Sequence, residues 1–304
     1  MSGFLFLFLS LWVPYHLAMA NLLYAGNDKM FDGILSSLLS IASNTTRGLD
    51  VIILTADFTE IREDYRPIDE RMRVFLERVL QFYCSTSTVR LVDLGEVVKK
   101  DLADSKNKKN RFSPYAVLRL YLDSIEDLPD RILYLDTDTL AKGDISPLYD
   151  LDLRGNYIGM ALDAVGSIWL TPEYCNSGVL LMDYGKIRQS NLLELCRNLV
   201  KTQFMFMPDQ TALNTLFDDK IYFLPREYNE QKKTQENTLI RHFCDVMHLF
   251  PILHVDKVKQ WDVERVHSVL KEHAFDAVLE TYLELKKLYL DQKDPEEALI
   301  RGHH

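Results

Sequence analysis

Residues 131–145 read RILYLDTDTLAKGDI. After Arg131 come Ile, Leu, Tyr and Leu, the composition of a strand buried on both faces. Two carboxylates, Asp136 and Asp138, follow at once. At i and i+2 on an extended segment they point roughly the same way. A pair so held offers hard oxygen ligands to a divalent cation. Acids that end so apolar a strand stand at the carboxyl edge of a buried sheet, where open α/β sheets collect their ligands.

The same pattern of strand, polar turn and helix recurs on either side. Asn21–Tyr24 predicts a short buried strand, Ala25-Gly26-Asn27-Asp28 a turn, and residues 31–43 an amphipathic helix. Further strands are predicted over 50–55, 89–94, 157–162, 177–182 and 221–224. Helices are predicted over 68–83, 114–126, 189–201 and 209–217, and one long helical tail over 263–291. Residues 99–111 (KKDLADSKNKKNR) read as a solvated loop. Strands alternating with helices argue an α/β fold around a largely parallel sheet. With no internal repeat and no linker, the chain reads as one domain with a helical C-terminal appendage.

Composition narrows the function. The 304 residues carry 35 Lys and Arg against 45 Asp and Glu, a net charge of −10. Such a chain has no general attraction for duplex phosphates, so nucleic acid is excluded as a partner. With 12 Gly and 10 Pro, collagen-like and low-complexity classes are excluded too. The four cysteines, Cys84, Cys175, Cys196 and Cys244, form no CxxC pair and match no zinc spacing. They read as reduced thiols that pack as small hydrophobes. Residues 263–301 hold more acids than bases, so that helical tail is expected to pack on the body or a second subunit rather than on an anionic membrane. Residues 1–20 read as a leader or an added segment: the apolar run 3–14 is short for a bilayer and has no basic flank. Met19 is the expected native start, and the terminal His303-His304 a tag remnant.

Around the paired acids the sequence resembles family 8 glycosyltransferases, the retaining enzymes that include bacterial lipopolysaccharide galactosyl- and glucosyltransferases. The resemblance lies in six blocks, in order: NLLYAGNDKMFDGILSSLLSI, FSPYAVLRLYL, RILYLDTDTLAKGDISPLYDLDL, YCNSGVLLMDYGKIR, PDQTALNTLF and HFCDVMHLFPILHVDKVKQWD. It covers about residues 20–262 and implies a GT-A fold, a single Rossmann-like nucleotide-binding domain at 21–262, with 263–304 as a helical extension.

Carried over by position, the resemblance implies a UDP-sugar donor, a glycan acceptor, and Mn²⁺ or Mg²⁺ as cofactor. Ala25, Gly26, Asn27 and Asp28 would line the nucleotide pocket. Asp136, Thr137 and Asp138 would face the diphosphate, with Asp136, Asp138 and His242 as metal ligands and Lys259 on the phosphates. Asn176, Ser177, Asp209 and Gln210 would surround the sugar, the last two as catalytic groups, and Asp163 would serve the acceptor. His248 and His254 compete with His242 for the ligand role. Relatives carry an Arg where this chain has Val117, and Arg119, two residues on, is the candidate replacement. Gln260 stands where the family has Pro. An amide at Gln210 is a poor nucleophile, so a same-face displacement is expected rather than a covalent intermediate. Two other classes compete. A nucleotidyltransferase would need a Gly-rich N-terminal loop, and this one has a single Gly. A non-catalytic carbohydrate-binding protein would have no need of the acids. A UDP-sugar donor implies a cytoplasmic location, at the inner face of the membrane; a homo-oligomer fits the acidic tail.

Overall fold

The computed structural model describes residues 19–103, 105–107, 114–248 and 254–302. Residues 1–18 of the 1–20 leader reading, part of the 99–111 loop and His303-His304 fall outside the described residues, while Ala20 already opens the first strand. Seven strands build the central sheet: β1 (Ala20–Ala25), β2 (Leu49–Thr55), β3 (Thr88–Asp93), β4 (Arg131–Leu135), β6 (Ile158–Leu162), β7 (Cys175–Asp183) and β8 (Ile221–Phe223). Between β4 and β6, β5 (Thr139–Ala141) leaves the sheet to pair with β9 (Ile240–His242); β10 (Val246–His248) and β11 (His254–Asp256) form a separate hairpin.

The sheet order is β3-β2-β1-β4-β7-β6-β8. Only β7 runs against the other six strands, so the expected largely parallel α/β sheet is found. The reversal of β7 positions the site. It brings the start of β7 to the edge where β4 ends, with Leu135 opposite Val179. The amide of Asp136 then donates to Gly178 O at 2.7 Å.

Alternation along the strands divides the core into two layers. Leu22, Tyr24, Leu133 and Leu135 face the helices Phe31–Ala42, Glu70–Tyr83 and Asp276–Leu290. Leu23, Ile52, Tyr134 and Leu180 face the helical segment Pro114–Ser124 and the helices Leu192–Thr202 and Pro208–Leu216. Among the described residues no helix is long and apolar enough to cross a membrane.

Three expectations are corrected. Residues 99–103 are not loop but the end of a helix, Gly95–Ala103, because Leu94 and Val98 anchor one face in the core. The 114–126 helix is a 3₁₀ segment, Pro114–Ser124, interrupted at Tyr121; it is buried at Tyr115 and from Val117 to Leu122, and packing overrides propensity there. The tail is not continuous over 263–291 but splits into Val263–Ser268 and Asp276–Leu290. Lys271 adopts φ 53° between them. The Glu272 carboxylate accepts from the amides of His273 and Ala274 at 3.2 and 3.1 Å, diverting them from helical bonds.

Candidate active site

The two acids after β4 are held from opposite sides. Asp136 Oδ1 accepts from Arg119 Nη2 and Tyr134 Oη, both at 2.7 Å. Asp138 Oδ2 accepts from Lys259 Nζ at 2.6 Å, and its Oδ1 lies 3.1 Å from His242 Nε2. That nitrogen is also 3.7 Å from Asp136 Oδ2. Burial opposes the charge on Asp138, but the Lys259 ammonium outweighs it and holds the carboxyl below the usual range. Lys259 is raised in turn: Asp138 and Asp245 overcome its desolvation.

The second half of the site is a chain of side-chain amides. Asn176 Oδ1 accepts from Gly178 N at 2.9 Å, which fixes the amide's orientation. Its Nδ2 therefore donates to Asp163 Oδ2 at 3.0 Å. Asn229 Nδ2 donates to the same Asn176 Oδ1 at 2.9 Å, turning Asn229 Oδ1 toward His242 Nδ1 at 3.1 Å. An amide oxygen can only accept, so His242 carries its proton on Nδ1. In the neutral ring the Nε2 lone pair then points at two carboxylate oxygens. Three acceptors converging without a donor call for a cation between them, and imidazole with two carboxylates suits a divalent ion such as Mn²⁺. Asp136, Asp138 and His242 thus fit a metal. The ring packs against Gly178, where an added Cβ would come within 2.2 Å of Cε1.

Gln210 closes the amide chain. Its Oε1 accepts from Ser177 N at 3.0 Å and its Nε2 donates to Asp163 Oδ2 at 3.1 Å. Asp163 is filled on its other oxygen as well, by the amides of Val165 and Gly166 at 3.0 and 2.6 Å. Asp209 is fully buried, which raises its pKa; Arg119 Nε at 3.5 Å and the Ser177 hydroxyl at 3.3 Å oppose that cost.

Arg119 is the hub. Buried and stacked 4.0 Å over the Tyr134 ring, it joins Asp136, Asp209 and the carbonyl of Ser177. Val117, its competitor from the sequence, is a core residue of the second layer. Gln260 likewise has a structural use: its Nε2 donates to Thr137 O at 2.8 Å and Ser36 Oγ at 3.2 Å, pinning the segment that carries Lys259 to the acidic turn. Ala25 ends β1, which lies beside β4 in the sheet, and Gly26, Asn27 and Asp28 follow it. Asn27 is buried, and its Oδ1 and the Asp28 Oδ1 are buried acceptors without a hydrogen-bond partner. His242 ends β9, opposite Thr139 of β5, whereas His248 and His254 pair with each other across the β10–β11 hairpin. Asn229, Tyr134 and Asp245 were not found from the sequence. No residue pattern marks Asn229 in PREYNEQ, and only the fold brings it to His242.

Comparison with known proteins gives the same picture. The model of "Glycosyl transferase family 8" matches residues 21–262. The lipopolysaccharide 1,2-glucosyltransferase of Escherichia coli K12 is 38% identical over 112 residues, 33% of this chain and 33% of its own length. The lipopolysaccharide 1,3-galactosyltransferase of Salmonella typhimurium is 27% identical over 234 residues, 69% of this chain and 63% of its own. The chain thus spans less than two thirds of the length of either relative. The galactosyltransferase LgtC, solved with donor and acceptor sugar analogs, superimposes with a TM-score of 0.63 at 20% identity, covering 87% of this chain and 94% of LgtC. The fold is accordingly GT-A.

Proposed function

The chain belongs to glycosyl transferase family 8, and on that premise we propose that it moves a hexose, glucose or galactose, from a UDP-sugar to a hydroxyl of a cell-surface glycan or lipopolysaccharide, with retention and with Mn²⁺ or Mg²⁺. One observation carries the reading: the amide-fixed His242 lone pair faces Asp136 and Asp138, a cation site at the carboxyl edge of the sheet. A divalent ion held there would neutralise charge building on the departing diphosphate. Lys259 adds a point charge on the same side. The unpartnered oxygens of Asn27 and Asp28 are acceptors for nucleobase N–H groups.

Among the described residues, neither carboxylate on the sugar side is free to attack. Asp163 accepts two hydrogen bonds on each oxygen, and Asp209 is paired with Arg119. Gln210 is an amide already oriented by Ser177 and Asp163. The acceptor hydroxyl then attacks on the face that UDP leaves, a β-phosphate oxygen takes its proton, and Gln210 stabilises the oxocarbenium-like sugar. The test is UDP release from a panel of UDP-sugars, with and without Mn²⁺. Mn²⁺-dependent turnover of one UDP-hexose is expected. Absence of response to every UDP-sugar, or a trapped glycosyl adduct on Asp209 or Asp163, would overturn the reading.

A further inference from the structure

Outside the site, His267, His273 and Asp276 form a second group of metal-capable side chains, with one ligand atom from each within 4.8 Å of the others. His267 lies in the helix Val263–Ser268, His273 in the turn after it, and Asp276 opens the helix Asp276–Leu290. Asp276 Oδ1 is 2.9 Å from His267 Nε2, and Oδ2 is 3.0 Å from His273 Nδ1. The two rings stack with centroids 4.6 Å apart. We propose that this is a site for a borderline divalent transition-metal ion, Zn²⁺ above all, which clips the two C-terminal helices together.

Ligand chemistry favours that class. Two imidazoles and one carboxylate suit Zn²⁺, Co²⁺ or Ni²⁺ rather than Mg²⁺ or Ca²⁺, which take all-oxygen shells. The spacing is close to what is needed: bonds of about 2.0–2.1 Å in a tetrahedron put neighbouring ligand atoms about 3.3 Å apart. The two rings meet different oxygens of Asp276, and one ligand atom from each residue lies within 4.8 Å of the others, so small side-chain rotations bring the three to that spacing. One carboxylate serves both rings in the metal-free protein. The ion replaces both hydrogen bonds, and each neutral ring then carries its proton on its other nitrogen.

The ligands stand on a fixed backbone. Glu272, 8% exposed, accepts from the amides of His273 and Ala274 and ties the turn to Thr234 N at 3.4 Å. Val266 and Phe275, the neighbours of His267 and Asp276, are buried in one cluster with Phe243. The ligands themselves remain 36%, 63% and 40% exposed, so water can enter and complete the shell. Phe243 follows His242 in sequence and meets the Phe275 ring at 6.1 Å, so the clip braces the wall behind His242.

Co²⁺ and Zn²⁺ titrations of the EDTA-treated full chain test this, comparing wild type, Asp138→Ala and the double variant His267→Ala/His273→Ala. The Asp138→Ala protein should retain one equivalent of Co²⁺ with the visible bands of four-coordinate geometry. The double variant should lose that equivalent, its affinity falling by more than the ~10–100-fold that loss of an outer-shell partner costs. Zn²⁺ should raise Tm in wild type and Asp138→Ala and leave the double variant unmoved. All three proteins carry the same terminal His303-His304, so the difference belongs to this site. Equal Zn²⁺ stoichiometry and affinity in wild type and a natively folded double variant would overturn the proposal, as would an Asp138→Ala protein that takes up no Co²⁺. If the double variant loses its native circular dichroism, His273→Gln, on the exposed turn, gives the same comparison.

Discussion

The two halves of the site are built by opposite rules. At the end of β4, Asp136, Asp138, His242 and Lys259 are charged or metal-ligating, and the arrangement is electrostatically unfinished: Lys259 donates to Asp138 Oδ2, but Asp136 Oδ2, Asp138 Oδ1 and His242 Nε2 converge with no donor between them. At the start of β7, Asn176, Ser177, Gln210 and Asp163 are all buried, and their hydrogen bonds close on one another. The first half is poised to gain a ligand. The second is a preorganised wall which, under the proposed function, would need no reorganisation when charge develops on a sugar. Under the proposed function the charged half would take the diphosphate and the amide half the sugar ring.

Substitutions can break this comparison, and the largest effect should come from the charged half. Asp138→Ala removes the shared partner of His242 and Lys259. UDP release should fall by at least about 10²–10³-fold, and Mn²⁺ should no longer raise Tm. Near-native turnover in that variant would place the chemistry elsewhere. Arg119→Met comes next, at the seam between the halves. It leaves Asp136 and Asp209 without their buried cation, so urea titration should show a loss of about 3–5 kcal/mol. A much smaller loss would mean that water or Tyr134 already compensates.

Asn229→Ala sharpens the comparison, because Asn229 belongs to the amide chain yet acts on the charged half. Without its oxygen the His242 tautomer is no longer imposed. Mn²⁺ affinity, measured by titration, should drop about 10–100-fold while the unfolding midpoint moves little. Equal losses in both would make Asn229 a structural residue only.

The smallest effect lies outside both halves, among the thiols. Burial raises Cys175, Cys196 and Cys244 to about 12, whereas hydrogen bonds to Thr86 and Ser87 lower the partly exposed Cys84. Only the thiolate reacts, so alkylation of the folded protein near neutral pH should mark Cys84 alone. The other three should label only as pH approaches their raised values or on unfolding. Rapid labelling of Cys175 and Cys196 at neutral pH would contradict the packed core.

Much of this was legible in the chain. Apolar runs of four to six residues ended by polar turns gave every strand of the central sheet, and RILYL followed by two acids marked where ligands gather. Order and spacing of the six blocks pointed to the family. What failed was local. The 99–103 helix was hidden by its charge, the 3₁₀ form of 114–124 by packing from both sides, and the break after Ser268 by a single buried carboxylate. Where the Arg119 side chain points could not be read from α-helical rotation, because Pro114–Ser124 is a 3₁₀ segment.

The sequence by itself determined the element pattern, the acids at the sheet edge and the chemical types available there, because those depend on periodicity and composition within short windows. The tertiary structure alone decided which partners meet. The reversed β7 brings Asn176 and Ser177 beside Asp136; β5 carries Thr139 to β9, which sets His242 beside the acids; and Asn229, thirteen residues before His242, fixes its proton. Hydrogen bonds and lone pairs act over about 3 Å, a range that residues far apart in the chain enter only when the fold closes.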